Sequence, residues 1–267
     1  MFDITNHKLF KMKKLFFTII FCAIFNFTFS QESYKIQISF YKVDETKRVE
    51  YETVMTDVFG KIMKQRIKEG CMKNWIFRRV IPNSSMAEQF THMTIDVLNP
   101  GSDNYSCGEL ESIRKKVFPN QSEEIFNILR DIRNSSRNVI YRTKLSHVSG
   151  FNKIEGKIPQ FAMFCITKTK NGNYKKRHKD EEWLNAAKKV YGHDAWHAFE
   201  RDDFVNGTKE WNYITIDAYA DASDIYTGNK PFPSKLNEKI QKKYGKPSSQ
   251  RDIWKRINTR LIYSAKN

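Results

Sequence analysis

The chain has 267 residues, of which 40% are hydrophobic and 28% charged, and its formal net charge at pH 7 is +16. This length suffices for two domains of about 115 residues each, so a core can form without disulfides. An excess of basic residues usually indicates a polyanionic partner. Here the charge is spread along the chain, which favours a solvated lysine-rich surface or one that attracts anionic glycans or lipids.

The N-terminus has the three parts of a secretory signal peptide. Lys13 and Lys14 precede an apolar run over residues 15–29, and Ser30 ends a small-residue cleavage site. The apolar run is too short for a good membrane span. We therefore predict that residues 1–30 are a signal peptide, and an uncleaved N-terminal anchor is the alternative.

Export sets the expected compartment and partners. We predict a periplasmic or extracellular protein with no stable membrane span after cleavage and no nucleic-acid partner. A start at Met12 would also give a conventional signal. Cleavage leaves 42 basic against 29 acidic residues, so the mature chain remains basic, at about +13.

The first half of the mature chain predicts the order β-α-β-β-α-β. Apolar residues at helical spacing between Tyr51 and Met63, followed by Gly70 in the C′ position, predict the first helix. A break at Pro119 divides the second helical region. Strands are predicted at residues 34–43, 75–81, 89–98 and 139–148, and further helices at 110–117 and 122–132.

The second half predicts the same order. Strands are predicted at residues 160–168, 195–201, 210–220 and 260–265, and helices at 180–191, 235–244 and 250–257. Asn206-Gly207 predicts a turn between the two middle strands. The predicted domains are a first unit over residues 31–149, a linker over 150–159 and a second unit over 160–267.

One stretch of the chain occurs twice. Residues 75–105 align without a gap on residues 196–226, at an offset of 121. Seven of the 31 positions are identical, against roughly two expected from ordinary residue frequencies. The period is far longer than that of a solenoid repeat, so a duplicated domain is predicted. The identical pairs are Trp75/Trp196, Thr94/Thr215, Ile95/Ile216, Asp96/Asp217, Ser102/Ser223, Asp103/Asp224 and Tyr105/Tyr226.

The β-α-β-β-α-β order is the ferredoxin-like plan, in which both helices cover one face of an antiparallel sheet. With its long helix, its strand led by tryptophan and its Thr-Ile-Asp strand, the chain resembles the dimeric α/β-barrel superfamily in a tandem single-chain form. It is also similar to a group of uncharacterised secreted proteins from Bacteroidota. The resemblance implies an α+β fold in which two ferredoxin-like units pack sheet to sheet as an intramolecular pseudo-dimeric α/β barrel.

The third strand of each half carries polar and aromatic side chains at alternate positions. The other face of that strand is aliphatic and is predicted to contact the helices, so the polar face is predicted to line the barrel. An apolar and aromatic cavity with a few polar groups is typical of a small-molecule site. The polar face comprises Phe90, His92, Thr94 and Asp96 in the first half, Trp211, Tyr213, Thr215 and Asp217 in the second, and Tyr41.

Within this face we predict two catalytic side chains and five ligand contacts. His92 is the candidate general base, and Tyr213 is the candidate donor to a substrate oxygen. The alternative is that these side chains fill the barrel and hydrogen bond to one another. For Asp96 and Asp217, which end strands, a turn or cap is the default role. The predicted ligand contacts are Tyr41, Phe90, Thr94, Trp211 and Thr215.

Three cysteines remain in the mature chain. Cys71 opens the second predicted strand and Cys107 opens the second helical region, so both lie at one end of the sheet and a disulfide is sterically allowed. The second half has no matching pair, which speaks against it. Cys165 has no neighbouring base or helix terminus in the sequence, and a buried inert thiol is predicted.

The histidines suggest neither a metal nor a cofactor. His193 and His197 would share a helical face, but Gly192 is expected to end the helix before them, and no third ligand is near. Haem enzymes occur in the superfamily, but His92, His147 and His197 are axial-ligand candidates by residue type alone. We therefore predict no metal and no cofactor.

The sequence leaves three functional hypotheses. The first is an exported protein that binds a small ligand or a glycan in the cavity between its two sheets. The second is a cofactor-free enzyme like the mono-oxygenases or isomerases of the superfamily. The third is a structural or interaction protein with a filled core. The oligomeric state is not predicted.

Overall fold

A computed structural model describes residues 34–82, 89–102, 109–154, 156–203, 210–227 and 231–266. The predicted signal peptide, Cys107 and the predicted Asn206-Gly207 turn lie outside the described residues. Within them, no helix is long and apolar enough to cross a membrane.

The described residues form a mixed α/β structure built on eight antiparallel strands. The strands are β1 (Lys35–Val43), β2 (Asn74–Val80), β3 (His92–Val97), β4 (Arg137–Asn152), β5 (Phe161–Thr169), β6 (Ala195–Arg201), β7 (Tyr213–Tyr219) and β8 (Arg251–Ser264). They close into one barrel in the order β1-β3-β2-β8-β5-β7-β6-β4. Each half therefore contributes four neighbouring strands, and the halves join where β2 pairs with β8 and β4 with β6.

The helices lie between these strands. They are α1 (Arg48–Val54), α2 (Lys61–Lys68), α3 (Leu110–Val117), α4 (Glu123–Ser135), α5 (Asn173–His178), α6 (Glu181–Val190), α7 (Asp224–Thr227), α8 (Ser234–Tyr244) and α9 (Pro247–Gln250). A π-helical turn over Met55–Gly60 joins α1 to α2, so the long amphipathic helix predicted in the first half is continuous. Gly70, which follows it, has a φ of +75°, as its predicted C′ position requires.

The four-stranded sheets of the two halves join edge to edge into one barrel. The prediction was that they would pack sheet to sheet. Edge pairing gives hydrogen-bond partners to the outer strands of each sheet, which an open sheet leaves unpaired. The register repeats between the halves, including the irregularities. β1 against β4 is shifted between Phe40 and Tyr41, and β5 against β8 is shifted between Ile166 and Thr167.

The interior of the barrel is packed with apolar side chains from all eight strands. Ile38, Met93 and Phe164 are completely buried members of this cluster. An eight-stranded barrel has an interior just wide enough for side chains to fill it. On β3 and β7 the aliphatic residues therefore point into the barrel, and the polar residues between them point to the helices. The prediction had assigned these two faces the other way round.

Two further clusters separate the barrel from its helices. In the first half, Tyr51, Phe59 and Phe126 pack from the helices onto Trp75 and Phe77 of β2. In the second half, Tyr174 and Trp183 pack onto Trp196 and Tyr213. The duplicated tryptophans Trp75 and Trp196 thus lie in the two helix–sheet layers, at equivalent places.

The second half departs from the predicted elements in two places. Residues 250–257 were predicted to be helical but form the first part of β8, because Arg251–Ile257 pairs with β5 and α9 is limited to four residues. The spacing of Ile253, Trp254 and Ile257 resembled a helical stripe, yet Ile253 and Trp254 are largely exposed. Helix α5, which the sequence did not predict, lies just before α6.

Candidate functional site

A cavity of about 240 Å³ lies between the second-half sheet and helices α5 and α6. It is on the helix-covered side of the sheet, outside the barrel. Residues from β5, β7 and β8 form its floor, and α5, α6 and the segment after α6 form its walls. Its lining comprises Met163, Cys165, Tyr174, Arg177, His178, Trp183, Tyr191, His193, Trp196, Thr215, Asp217, Pro247, Arg251, Ile253 and Arg256.

The cavity lies where the helical cover of the sheet is divided in two. Asp180 follows α5 and caps α6 by accepting a hydrogen bond from the backbone of Trp183 at 3.0 Å. The same carboxylate accepts from Lys243 and Tyr244 of α8, both at 2.7 Å. These bonds fix the start of α6 and hold Trp183 over the sheet. The first half covers the same part of its sheet with the continuous α1–α2 helix.

Asp217 is the buried acid of the cavity floor. It lies on β7 opposite Trp196 of β6, whose side chain hydrogen bonds to it, and Cys165 Sγ is 4.0 Å from Asp217 Oδ2. Burial raises the pKa of Asp217 to about 7, against the lowering effect of Arg251 and Arg256. The carboxyl group is therefore able to change its protonation state near neutral pH.

Two arginines of β8 border the cavity. The guanidinium of Arg251 lies 4.9 Å from the centre of the Tyr174 ring and donates a hydrogen bond to the Tyr174 hydroxyl. Arg256 pairs in register with Cys165 of β5. The residues at the equivalent register in the first half are Arg137 and Arg142, so both arginines occur in both halves.

Three polar side chains of the cavity have buried atoms without a hydrogen-bond partner. Both ring nitrogens of His193, Nη1 of Arg177 and Nε1 of Trp183 are in this state. His193 is 2% exposed and Arg177 7%. Burial lowers the pKa of His193 to about 4, so its ring is neutral at pH 7. Buried polar groups are normally satisfied, so this concentration of unpaired atoms at one cavity calls for an explanation.

The predicted catalytic pair is not brought together. His92 packs against Tyr51 and Phe77 in the first-half layer. Tyr213 packs against Tyr174 in the second half, and its hydroxyl bonds His178 Nδ1 at 3.0 Å. Because the polar faces of β3 and β7 point to separate helix layers, the two side chains cannot act on one substrate.

The five predicted ligand contacts are also distributed over separate regions. Phe90 and Trp211 belong to the barrel interior. Tyr41 and Thr94 hydrogen bond to each other at 3.1 Å under the first-half helices. Thr215 lines the second-half cavity. The predicted cavity between the sheets is therefore wrong in location, since side chains fill that space.

His92 belongs to a hydrogen-bonded chain beside a second cleft of about 410 Å³. Its Nδ1 is 2.9 Å from Thr91 Oγ1, and its Nε2 is 2.8 Å from Glu52 Oε1. Arg79 forms two hydrogen bonds with the same carboxylate. Burial tends to raise the pKa of Glu52, but the bonds from His92 and Arg79 lower it to about 2. Each polar group in this chain has a partner.

The other histidines considered as ligands of a metal or haem have different surroundings. His147 Nε2 is 3.3 Å from His197 Nδ1, and His197 Nε2 is 3.0 Å from Asn152. His193 lies before β6 and lines the cavity, so it does not share a face with His197. In the part of the chain that is described, no group of three or more His, Cys, Asp or Glu side chains is placed to hold a metal ion.

The two described cysteines differ in their state. Cys71 is disulfide-bonded, and because Cys107 lies outside the described residues, their pairing stays a prediction. Cys165 is a buried free thiol, and burial raises its pKa to about 12. It is therefore protonated at neutral pH and is not an activated nucleophile.

The sequence analysis missed most of the cavity residues. Arg177, Arg251 and His193 are distant in sequence and carry no motif. Asp217 was considered, but the default role of a turn or cap was preferred. Two signals were available: the Thr-Ile-Asp repeat, which marks Asp217, and the stretch from His193 to His197, which was considered only as a metal motif and rejected.

No protein-family model and no curated protein sequence matches the chain. A "putative monooxygenase" from Lactobacillus acidophilus NCFM has a similar structure, with a TM-score of 0.52 and 15% identity over 88% of this chain and 96% of that chain. For a "putative monooxygenase" from Fusobacterium nucleatum the TM-score is 0.48 and the identity 11%, over 87% of this chain and 93% of that chain. For a dye-decolorizing peroxidase from Bacteroides thetaiotaomicron the TM-score is 0.42 and the identity 8%, over 85% of this chain and 93% of that chain.

At these identities the similarity establishes the fold and no activity. The chain has the fold of the dimeric α+β barrel proteins, here with all eight strands in one polypeptide. This agrees with the superfamily that the sequence resembles.

Proposed function

We propose that this is an exported protein that binds a small organic ligand in the second-half cavity. The observation that carries the proposal is His193, a 2% exposed side chain on the cavity wall whose two ring nitrogens have no partner. An unsatisfied buried donor or acceptor costs roughly 1–3 kcal/mol. A bound ligand that completes these hydrogen bonds removes that cost.

A second candidate function is a proton-transfer enzyme of the isomerase or cofactor-free mono-oxygenase kind. One observation favours it: Asp217, with a pKa of about 7, lies in the cavity floor. A general acid or base works best when its pKa is near the operating pH. In this mechanism Asp217 exchanges a proton with the ligand, while His193 and Arg177 hold the ligand in place.

We also propose that the two halves arose by a tandem duplication of a ferredoxin-like unit. The strand order within each half is the same, and the shifted registers fall at equivalent steps of β1 and β5. The sequence repeat at an offset of 121 residues supports the same origin. The cavity is then a feature that the second half alone has kept or acquired.

Export is tested by expressing the full chain with its own leader in a bacterium that has an outer membrane. We expect the protein in the periplasm or medium, with Gln31 as its N-terminal residue by mass spectrometry. A membrane-bound protein that retains residues 1–30 would instead establish the uncleaved anchor.

Ligand binding is tested by fluorescence titration with 8-anilinonaphthalene-1-sulfonate, a small organic probe. We expect one site per chain. Ile253→Trp places a bulky ring at the cavity and should weaken this binding. Val139→Trp is the matched control, since Val139 pairs with Tyr41 as Ile253 pairs with Thr167, and both are exposed. Equal losses in the two variants, or no saturable binding, would contradict the proposal.

A further inference from the structure

The unpaired atoms of the cavity define what a ligand must bring. Arg177 Nη1 and Trp183 Nε1 are donors that cannot accept a hydrogen bond, and His193 offers at least one further donor. A ligand that satisfies them must carry several acceptor atoms. A carboxylate has two oxygens and about four acceptor positions, and it matches the donor fork of a guanidinium.

The charge of the lining favours an anion. Three guanidinium groups, those of Arg177, Arg251 and Arg256, border the cavity, and the lining contains a single carboxylate, that of Asp217. Burial raises the pKa of this carboxyl to about 7, so it is partly neutral at physiological pH. The cavity therefore carries excess positive charge in a partly desolvated place, where electrostatic attraction is stronger than in water.

The walls and the size favour an aromatic ligand. Four rings line the cavity, those of Tyr174, Trp183, Tyr191 and Trp196. Stacked and edge-to-face contacts with such rings stabilise a flat aromatic ligand beyond the area it buries. A volume of about 240 Å³ equals that of about eight water molecules at roughly 30 Å³ each. This suits one ring or two fused rings with a small substituent.

We propose that the second-half cavity binds a small aromatic carboxylate, whose carboxylate group accepts hydrogen bonds from Arg177 and His193 and whose ring packs against Trp183. This deepens the proposed function by naming the ligand class, and it rests on that function. In the first half the equivalent acid, Asp96, accepts a hydrogen bond from Gln37 at 3.3 Å, and the larger Tyr41 stands where Thr167 stands in the second half.

The test is isothermal titration of the full exported protein with 2-naphthoate and with 2-naphthamide, at pH 6.5. The two probes have nearly the same shape, and they differ in charge. We expect 2-naphthoate to bind at one site, at least tenfold more tightly than the amide. Inorganic phosphate is titrated as a third probe, to separate recognition of an aromatic acid from recognition of any small anion.

Substitutions assign the binding to the cavity. Arg177→Met keeps a long apolar stem and removes the donors, and we expect it to weaken 2-naphthoate by tenfold or more, as the loss of a charged hydrogen bond does. Affinity for 2-naphthamide should change less. Arg251→Met should also weaken the acid. Arg137→Met, at the equivalent register in the first half, should leave both affinities unchanged. Thermal melts of each variant verify that it is folded.

The outcomes separate this inference from the proposed function. Equal binding of acid and amide, or an Arg177→Met variant that binds 2-naphthoate normally, would overturn the anionic class and leave ligand binding intact. Phosphate that competes with 2-naphthoate at similar affinity would overturn the aromatic part. If neither naphthyl probe binds while anilinonaphthalene sulfonate does, the carboxylate class is wrong. If none of the probes binds, the proposed function fails as well.

Discussion

The two halves of the barrel place similar residues at equivalent positions and surround them differently. In the first half, Asp96 accepts a hydrogen bond from Gln37 at 3.3 Å, beneath a continuous helix and a full aromatic layer. In the second half, Asp217 faces a cavity beneath the divided cover of α5 and α6. Asp96 thus has a hydrogen-bond partner, whereas Asp217 borders a cavity whose lining includes unpaired polar atoms.

This difference indicates that the helices covering each sheet determine where a ligand cavity forms on this barrel. The sheet is nearly the same in both halves, down to the arginines at equivalent register. Side-chain size also contributes: Tyr41 of β1 corresponds to Thr167 of β5, and the smaller residue removes a ring from the helix-facing layer. Two halves of one barrel can therefore share a register while their helix-facing layers are packed differently.

The largest expected effect is on stability when the charge of Asp217 is removed. Burial raises the pKa of Asp217 from 3.8 to about 7. The folded state therefore holds this proton more tightly than the unfolded state does. The contribution to the free energy of unfolding is full below pH 4 and is lost as the pH rises through 7. The loss is on the order of 4 kcal/mol, at about 1.4 kcal/mol per pKa unit.

Asp217→Asn cannot ionise, so we expect it to be more stable than the wild type at pH 8, by up to about 4 kcal/mol, and nearly equal to it at pH 4. Urea unfolding across this pH range measures the difference. Asp96→Asn is the matched control in the first half and should show no gain at pH 8. A gain from both variants, or from neither, would remove the contrast between the halves.

The next effect concerns two histidines and has opposite signs. His193→Phe removes two unpaired nitrogens, and we expect it to stabilise the ligand-free protein by about 1–3 kcal/mol. His92→Phe removes the ring nitrogens that bond Glu52 and Thr91 and should destabilise by a similar amount. Chemical unfolding of both variants tests the sign. Destabilisation by His193→Phe would mean that its ring makes a bond essential to the fold.

Individual helices and strands could be predicted from the sequence, and the site could not. Helical spacing between Tyr51 and Met63 and alternation in β1 predicted these elements within a few residues, because each pattern is local. Which face of β3 looks inward is not local. It depends on the closure of eight strands around a filled interior, and so His92 and Thr94 were assigned to the wrong side.

The cavity was harder still to predict. Its residues meet through pairings between distant strands, such as Cys165 with Arg256, and the space arises because α5 and α6 are separate. No residue pattern predicted α5. Unpaired polar atoms such as those of His193 are properties of packing, and a residue pattern carries no signal for them.

A smaller effect is the pH dependence of binding. A carboxylate ligand and ionised Asp217 repel each other, so affinity for 2-naphthoate should fall by about tenfold per pH unit above pH 7. The other charged groups of the lining are the guanidinium groups of Arg177, Arg251 and Arg256. His178 and His193 stay neutral, and the pKa of Cys165 is about 12, so none of these titrates between pH 6 and 8. Calorimetric titration at pH 6, 7 and 8 measures the slope, which Asp217→Asn should abolish. A slope that persists in the variant would assign the proton to another group.

The smallest expected effect concerns an arginine–tyrosine hydrogen bond that occurs in both halves. Arg137 bonds the Tyr51 hydroxyl, and Arg251 bonds the Tyr174 hydroxyl. Tyr51→Phe and Tyr174→Phe each remove one such bond, and each should cost about 1 kcal/mol of unfolding free energy. Equal losses would identify the arginine–tyrosine pair as a structural element common to both halves. A loss confined to Tyr51→Phe would mean that Arg251 already turns toward the cavity when no ligand is bound, and would strengthen its part in ligand binding.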